Sequence, residues 1–263
     1  MLVVILANTH TGSTGEQKKA MRKRADQLLV EKGHFESRAL AQAAIAAGLV
    51  MANGKPVTKA SQGLDEETEL RAERPFDTVS RAGLKLKAAL DSAHITPSGW
   101  ICVDLGASTG GFCDLLLQRG AGRVYAVDVG HGQLHARLKD DPKLVNLEGT
   151  DARAVNDTLI PERADLITAD LSFIGLAKAL PAGLARLKPG GRLVALVKPQ
   201  FEAGPNAGKR GIIRDPALHA EILARVRDDV EALGIHIDMV LPSPIEGGDG
   251  NREFLLIGTR HDD

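Results

Sequence analysis

Val103-Asp104-Leu105-Gly106-Ala107-Ser108-Thr109-Gly110-Gly111-Phe112 decides how the rest of the chain is read. Trp100 to Val103 are apolar and β-prone, and Phe112 to Leu117 carry apolar residues at helical spacing. The order is strand, glycine-rich turn, helix. In an open α/β sheet this puts bare backbone at the carboxyl end of a strand, where ligands bind. Glycine is needed there because a side chain would block close approach or forbid the turn. Asp104, at the strand end, offers a carboxylate to a ligand's donors. Gly106, Gly110 and Gly111 do not fit G-x-G-x-x-G, and no Gly-Lys-Ser or Gly-Lys-Thr follows. The turn alone leaves the ligand open.

Downstream, strands and helices alternate. Apolar runs bounded by turn residues predict strands over 101–105, 124–129, 144–147, 166–170, 193–198, 235–241 and 254–259. Helices are expected over 111–119, 132–139, 175–187 and 216–233, and Ser80 is the expected cap of another over 80–90. Such alternation gives a sheet with helices on both faces. The last two strands, joined by a short loop, should pair antiparallel at one edge. Asp104, Asp128, Asp151 and Asp170 follow four successive strands and so should converge on one crevice. Asp128 stands about where a ribose-binding acid belongs in doubly wound nucleotide sites.

Upstream lies a separate small module over 21–74, after a leader over 1–20 expected to be disordered. Arg24 to Glu31 reads as a helix ended by Gly33, and Ser37 caps a second helix running to Ala47, with Gly48 as its stop. Asn53-Gly54 between apolar flanks is a hairpin signal. From residue 16 to 60 there are nine Lys or Arg against four acids, a net of +5, while Asp65, Glu66, Glu67 and Glu69 follow. A basic face on a small domain is the electrostatic footprint of phosphate-backbone binding. Pro75 breaks the pattern, so 75–79 is read as a linker and 80–263 as the second domain.

The whole chain has a net charge of −1, which favours no partner class. Aromatics are 3%, so the core must be aliphatic. Cys102 and Cys113 lack metal-type spacing and are expected to be buried, reduced thiols of a cytoplasmic protein. No metal is expected. No run of about 18 apolar residues is present, so no membrane helix is expected. A monomer is the default expectation.

The module's Arg24–Leu29, Ser37–Gln42, Gly48–Val50 and Asn53–Val57 resemble the RNA-binding domain first seen in ribosomal protein S-four. The resemblance implies Lys23, Arg24, Lys32, Arg38 and Lys55 as RNA contacts. In the second domain, Asp104–Phe112 resembles the S-adenosylmethionine loop of FtsJ-like 2′-O-methyltransferases. Asp128–Leu134, Asp170–Ile174, Leu196–Glu202 and Gly250–Phe254 are similar to the TlyA family, which joins both domain types. Gly149-Thr150-Asp151 departs from the bulkier, Asn-containing segment expected at that point. The resemblance implies a class I (Rossmann-like) methyltransferase fold, α/β with a seven-stranded mixed sheet, plus a small N-terminal α+β RNA-binding domain. It implies S-adenosylmethionine held by Asp104, Gly106, Ala107, Ser108, Thr109, Gly110, Gly111, Phe112, Asp128, Asp151 and Asp170. It also implies a catalytic set of Lys85, Asp170, Lys198 and Glu253.

The resemblance implies 2′-O-methylation of cytidine ribose in ribosomal RNA, free or within ribosomal subunits, and that set suits such an acceptor. A ribose hydroxyl is a poor nucleophile, and in-line attack makes positioning a large part of catalysis. Lys198 is assigned as base or hydroxyl-orienting group, with Lys85 as a second cation beside it. Asp170 and Glu253 would orient the lysines. His131 and His135 are assigned no chemistry, and Glu202 to Arg214 is read as a basic flap at the mouth of the site. The alternatives are a membrane-active haemolysin, disfavoured by the lack of a spanning segment, and an RNA-binding protein with decayed catalysis, disfavoured by the complete Lys-Asp-Lys-Glu set.

Overall fold

The computed structural model describes residues 22–203 and 212–261. The leader at 1–20 and most of the flap lie outside the described residues. The chain divides into two compact units between Pro75 and Phe76.

The first unit is built from β1 (Lys23–Arg24), α1 (Ala25–Glu31), α2 (Arg38–Ala46), β2 (Val50–Ala52), β3 (Lys55–Pro56), β4 (Gly63–Leu64) and β5 (Leu70–Ala72). The Ser37 hydroxyl accepts from Leu40 N and caps α2, as expected. Asn53 and Gly54 both take positive φ, 48° and 73°, which a type I′ hairpin needs. Three features depart from the sequence reading. Arg24 is a strand residue, because Lys23–Arg24 pairs antiparallel with Gly63–Leu64. Residues 70–72, for which no element is expected, form β5 against β2. Residues 76–79 belong to the second unit, where Val79 N donates to Asp114 Oδ2 at 2.7 Å. Leu28, Leu29, Ala41, Ile45, Val50 and Val57 form this unit's own core.

The second unit continues with α3 (Ala82–Ser92), β6 (Ile101–Leu105), α4 (Gly111–Gln118), β7 (Arg123–Asp128), α5 (Ala136–Lys139), β8 (Leu144–Glu148), β9 (Ala164–Ala169), α6 (Leu176–Leu184), β10 (Leu187–Val197), α7 (Pro199–Glu202), α8 (Pro216–Glu231), β11 (Ile235–Pro242) and β12 (Phe254–Arg260). A single 3-10 turn, Ala152–Ala154, follows β8. The seven strands lie in the order β11-β12-β10-β9-β6-β7-β8. Only β12 runs antiparallel to its neighbours, wedged between β10 and β11. The terminal hairpin at one edge is thus as expected.

Burial on both faces explains the apolar strands. Cys102 faces the layer of α3 and α4, with Leu86, Leu90 and Leu116. Its neighbour Val103 faces the layer of α6 and α8, with Leu180, Ile222 and Val226. Both cysteines are buried and free.

Two helix expectations fail. Ser80 does not cap α3, which starts at Ala82 after Arg81 without a side-chain cap. The expected helix over 132–139 shrinks to Ala136–Lys139, because 130–135 is held as a loop. Asp128 Oδ1 accepts Gly130 N at 2.7 Å, and Glu148 Oε1 accepts Gln133 N and Leu134 N at 2.6 and 3.0 Å. Strand β10 also begins earlier than expected, at Leu187, with an irregularity before Arg192. Among the described residues no helix is long and apolar enough to cross a membrane.

Candidate active site

The turn after β6 forms because its backbone visits conformations that other residues resist. Gly106 and Gly110 have φ of 86° and 90°, and Ser108 has 47°. A Cβ at Gly106 would lie 2.5 Å from the Asp170 carbonyl oxygen, so the first glycine lets two strand-end segments touch. Gly111 opens α4 with a similar constraint, since a Cβ there would meet Ser80 Oγ at 2.2 Å.

Two cavities flank this turn. One, of about 190 Å³, is lined by residues including Ser80, Asp104, Gly106–Thr109, Gly111, Phe112, Asp170, Ser172 and Lys198. The other, of about 800 Å³, is lined by residues including Gly106, Ser108, Asp128, Gln133, Asp151, Arg153 and Asp170–Gly175. They share Gly106, Ser108, Asp170 and Ser172 and so make one elongated crevice. All four strand-end aspartates line it, which is the convergence expected from the topology.

The four carboxylates differ in state. Asp104 is buried, with Thr168 Oγ1 donating to Oδ1 at 2.7 Å and Cys113 Sγ to Oδ2 at 3.1 Å. Burial pushes its carboxyl up to about 7, helped by the negative charge of Asp170 and Asp128 and opposed by those two hydrogen bonds. Asp128 accepts Ser108 N at 2.8 Å and Gly130 N at 2.7 Å, so it fastens the glycine turn to the loop after β7. Asp151 is held by Arg153 at 2.6 Å, which brings its carboxyl down to about 2. Asp170 pairs with Lys198 Nζ at 2.6 Å, and Ser172 Oγ lies 3.0 Å from the same nitrogen.

The proposed tetrad resolves into two ion pairs. Lys198 pairs with Asp170 in the crevice. Lys85 pairs with Glu253 at 2.6 Å, and both side chains are buried, at 8% and 3% exposure. Glu253 therefore neutralises Lys85, which is not a free second cation. Glu253 lines a separate cavity of about 370 Å³ with Ser243, Glu246 and Arg252.

Sequence reasoning missed several residues of the site. Thr168 and Cys113 satisfy Asp104 but lie among apolar runs that gave no polar signal. Ser172 sits inside the quoted Asp170–Ile174 motif without having been singled out. Glu148 ends β8 directly opposite Asp128 in register, and backbone donors from Leu134 and Gln133 help hold its carboxyl at about 2. Phe173 is 90% exposed at φ 67°, its ring 5.0 Å from that of Phe201.

In the first unit, four of the five expected RNA contacts are already partnered. Lys23 pairs with Glu31 at 2.6 Å and Glu66 at 2.9 Å, and these contacts raise its pKa. Arg24 and Arg38 converge on buried Asp26 at 3.0 and 2.8 Å. Lys32 Nζ donates to Thr68 O at 2.8 Å, whereas Lys55 is exposed on the hairpin.

Strand order, the reversed β12 and the crevice at the carboxyl ends of the central strands define a class I methyltransferase fold joined to a small α+β module. Residues 78–260 match the FtsJ-like methyltransferase family, and residues 23–70 match the S4 domain. The chain is 43% identical over 242 residues to the "16S/23S rRNA (cytidine-2'-O)-methyltransferase TlyA" of Mycobacterium tuberculosis, covering 90% of each protein. It is 38% identical over 234 residues to "Hemolysin A" of Brachyspira hyodysenteriae, covering 88% of this chain and 98% of that one. A solved structure, "Putative hemolysin from Streptococcus thermophilus", superposes with a TM-score of 0.72 at 39% identity, covering 93% and 90% of the two chains. The chain belongs to the FtsJ-like methyltransferase family, in its two-domain TlyA branch.

Proposed function

We propose that the protein transfers a methyl group from S-adenosylmethionine to the 2′-hydroxyl of a cytidine ribose in ribosomal RNA. The observation that carries this is the Lys198–Asp170 pair, whose lysine lines the smaller half of the crevice and whose aspartate lines both halves, beside Gly106. The crevice fits the cofactor. Its smaller half offers buried Asp104 to an ammonium group and glycine backbone to a carboxylate. Its larger half offers Asp128 and Asp151 to a nucleoside. Gly106 lines both halves without a side chain, and a Cβ there would lie 2.5 Å from the Asp170 carbonyl oxygen. When bound, S-adenosylmethionine supplies a methyl group activated by a sulfonium.

The chain's own residues do the rest. Lys198 orients the ribose hydroxyl, and the Lys198–Asp170 pair takes up its proton. Ser172 fixes Lys198 from a second side. The Lys85–Glu253 pair holds α3 to the start of β12 and keeps that wall charge-balanced. Exposed Phe173 gives a base an aromatic face to stack on. In the first unit, Arg24 and Arg38 each spend Nε and Nη2 on Asp26. A guanidinium has five donors, so each retains N–H groups for phosphate. Asp26 thus orients both forks, and exposed Lys55 adds a third cation.

Transfer of a tritiated methyl group to naked ribosomal RNA, intact ribosomal subunits and erythrocyte membranes tests the reading. Label is expected in RNA, at a cytidine 2′-oxygen. RNA that stays unlabelled beside an active control enzyme refutes it, and lysis of the membranes would favour the haemolysin reading instead.

A further inference from the structure

We propose that α7 is a splint: through Glu202 and Gln200 it ties the loops carrying Asp170 and Glu253 to the strand end carrying Lys198, which makes Glu202 a positioning residue for methyl transfer. This rests on the function proposed above.

A four-residue helix has almost no stability of its own, because nucleation costs more than one turn returns. Lys198 is its N-cap and Pro199 its first residue. It is held by what it reaches. Glu202 Oε1 accepts Leu176 N at 2.9 Å. Leu176 opens α6, whose N-cap Gly175 has no side chain to offer. Glu202 therefore caps α6 from another segment, where a carboxylate also suits the helix dipole. The fit is close, since a Cβ on Gly175 would lie 3.0 Å from Glu202 Oε2. The Glu202 carbonyl in turn accepts Arg225 Nη2 of α8 at 2.6 Å. Asp170 lies at the other end of the short loop that Leu176 closes.

The opposite side of α7 reaches the loop before β12. Gln200 Nε2 donates to Asp249 Oδ2 at 3.2 Å. Asp249 also accepts Asn251 N at 3.0 Å and Asn251 Nδ2 at 2.8 Å. Asn251 is buried, and its Oδ1 accepts Ile213 N at 2.9 Å. Two residues on stands Glu253. A Cβ on Gly247 would lie 2.6 Å from Glu253 Oε1 and 2.9 Å from Asp249 Oδ1, so this loop too closes only with glycine. Three loops bearing Asp170, Lys198 and Glu253 are thus joined by Glu202, Gln200, Asp249 and Asn251. This gives the polar residues around Lys198 and Glu253 in the two motifs a common purpose. Misplacing reacting groups by about 1 Å costs on the order of a hundredfold in rate.

The test compares full-length wild type with Glu202→Ala, Glu202→Gln and Asn251→Ala, using methyl-transfer kinetics and amide hydrogen exchange. Glu202→Ala is expected to lower kcat about 10- to 100-fold, with KM for S-adenosylmethionine within about threefold. Exchange should rise over residues 171–178. Glu202→Gln keeps the acceptor for Leu176 N and should retain most of kcat and wild-type exchange. Asn251→Ala should raise exchange over 247–253 and lower kcat likewise. An unchanged kcat in Glu202→Ala, or equal losses in the Ala and Gln variants, overturns the proposal. If wild type transfers no methyl group, the functional reading fails instead. Exchange then decides the splint alone: faster exchange at 171–178 in Glu202→Ala only supports it, and unchanged exchange refutes it.

Discussion

Asp104→Asn separates the cost of the cofactor wall from its use. Asp104 is buried, and its carboxyl stands at about 7 against an ordinary 3.8. A folded-state pKa above the unfolded one means that the native state binds more protons between these values. Stability contributed by this group is therefore complete below pH 4, falls as pH rises, and is gone above pH 7. Each pH unit in that window costs about 1.4 kcal/mol, reaching about 4 kcal/mol in all. Asparagine does not titrate. Its Oδ1 still accepts from Thr168 Oγ1, and its amide can face Cys113 Sγ. The stability advantage of Asp104→Asn over wild type should therefore grow by about 1.4 kcal/mol per pH unit from pH 4 to 7 and then level off. Urea unfolding followed by Trp100 fluorescence measures this, since Trp100 is the sole tryptophan and lies in the second unit. Cofactor binding should move the other way. Wild type gains affinity as Asp104 ionises and releases up to one proton on binding near pH 6, read by calorimetry in buffers of different ionisation heat. Asp104→Asn should bind weakly at every pH. A stability difference independent of pH would refute the assignment.

Lys198→Ala should abolish methyl transfer and leave cofactor affinity within a few-fold, because its partners are Asp170 and Ser172; equal loss of both, by calorimetry and activity, would contradict its role. Lys85→Ala leaves Glu253 buried without its cation, so it should destabilise the second unit by about 3–5 kcal/mol in Trp100-monitored unfolding. A near-neutral result there would mean that the pair is solvated. Removing residues 1–75 should weaken ribosomal RNA binding much more than cofactor binding, and should flatten the salt dependence of what RNA binding remains. RNA affinity equal to that of the full chain would refute the RNA role of the first unit.

Much of the second unit was legible because its signals are local. Buried parallel strands read as apolar runs, and Gly106, Gly110 and Gly111 marked a turn that only they can make. Ser37 and Asn53-Gly54 were legible for the same reason. What failed was non-local. Residues 132–135 look helical, but acceptors on Asp128 and Glu148 hold their segment as a loop, and the loop's shape exists only once β7 and β8 pair. The two-residue strand β1 carries no pattern of its own and exists because Gly63–Leu64 lies beside it.

The site shows the same division at the level of charge. The resemblance supplied all four tetrad members, but not how they pair. Lys85 and Glu253 are 168 residues apart, and only the fold brings them to 2.6 Å. That pairing changes the chemistry assigned to each lysine. A set of two cations and two carboxylates suggests one lysine tuned by the other. Two ion pairs instead give one lysine, Lys198, a place lining the crevice and set the other against buried Glu253. Both lysines are largely buried beside a carboxylate, at 8% and 12% exposure, so the division of labour follows from placement: Lys198 lines the cavity and can meet a substrate hydroxyl, whereas Lys85 is not among its lining residues. The two pairs should then fail differently. Loss of Lys198 should strike kcat beyond any loss of stability, and loss of Lys85 should strike stability first.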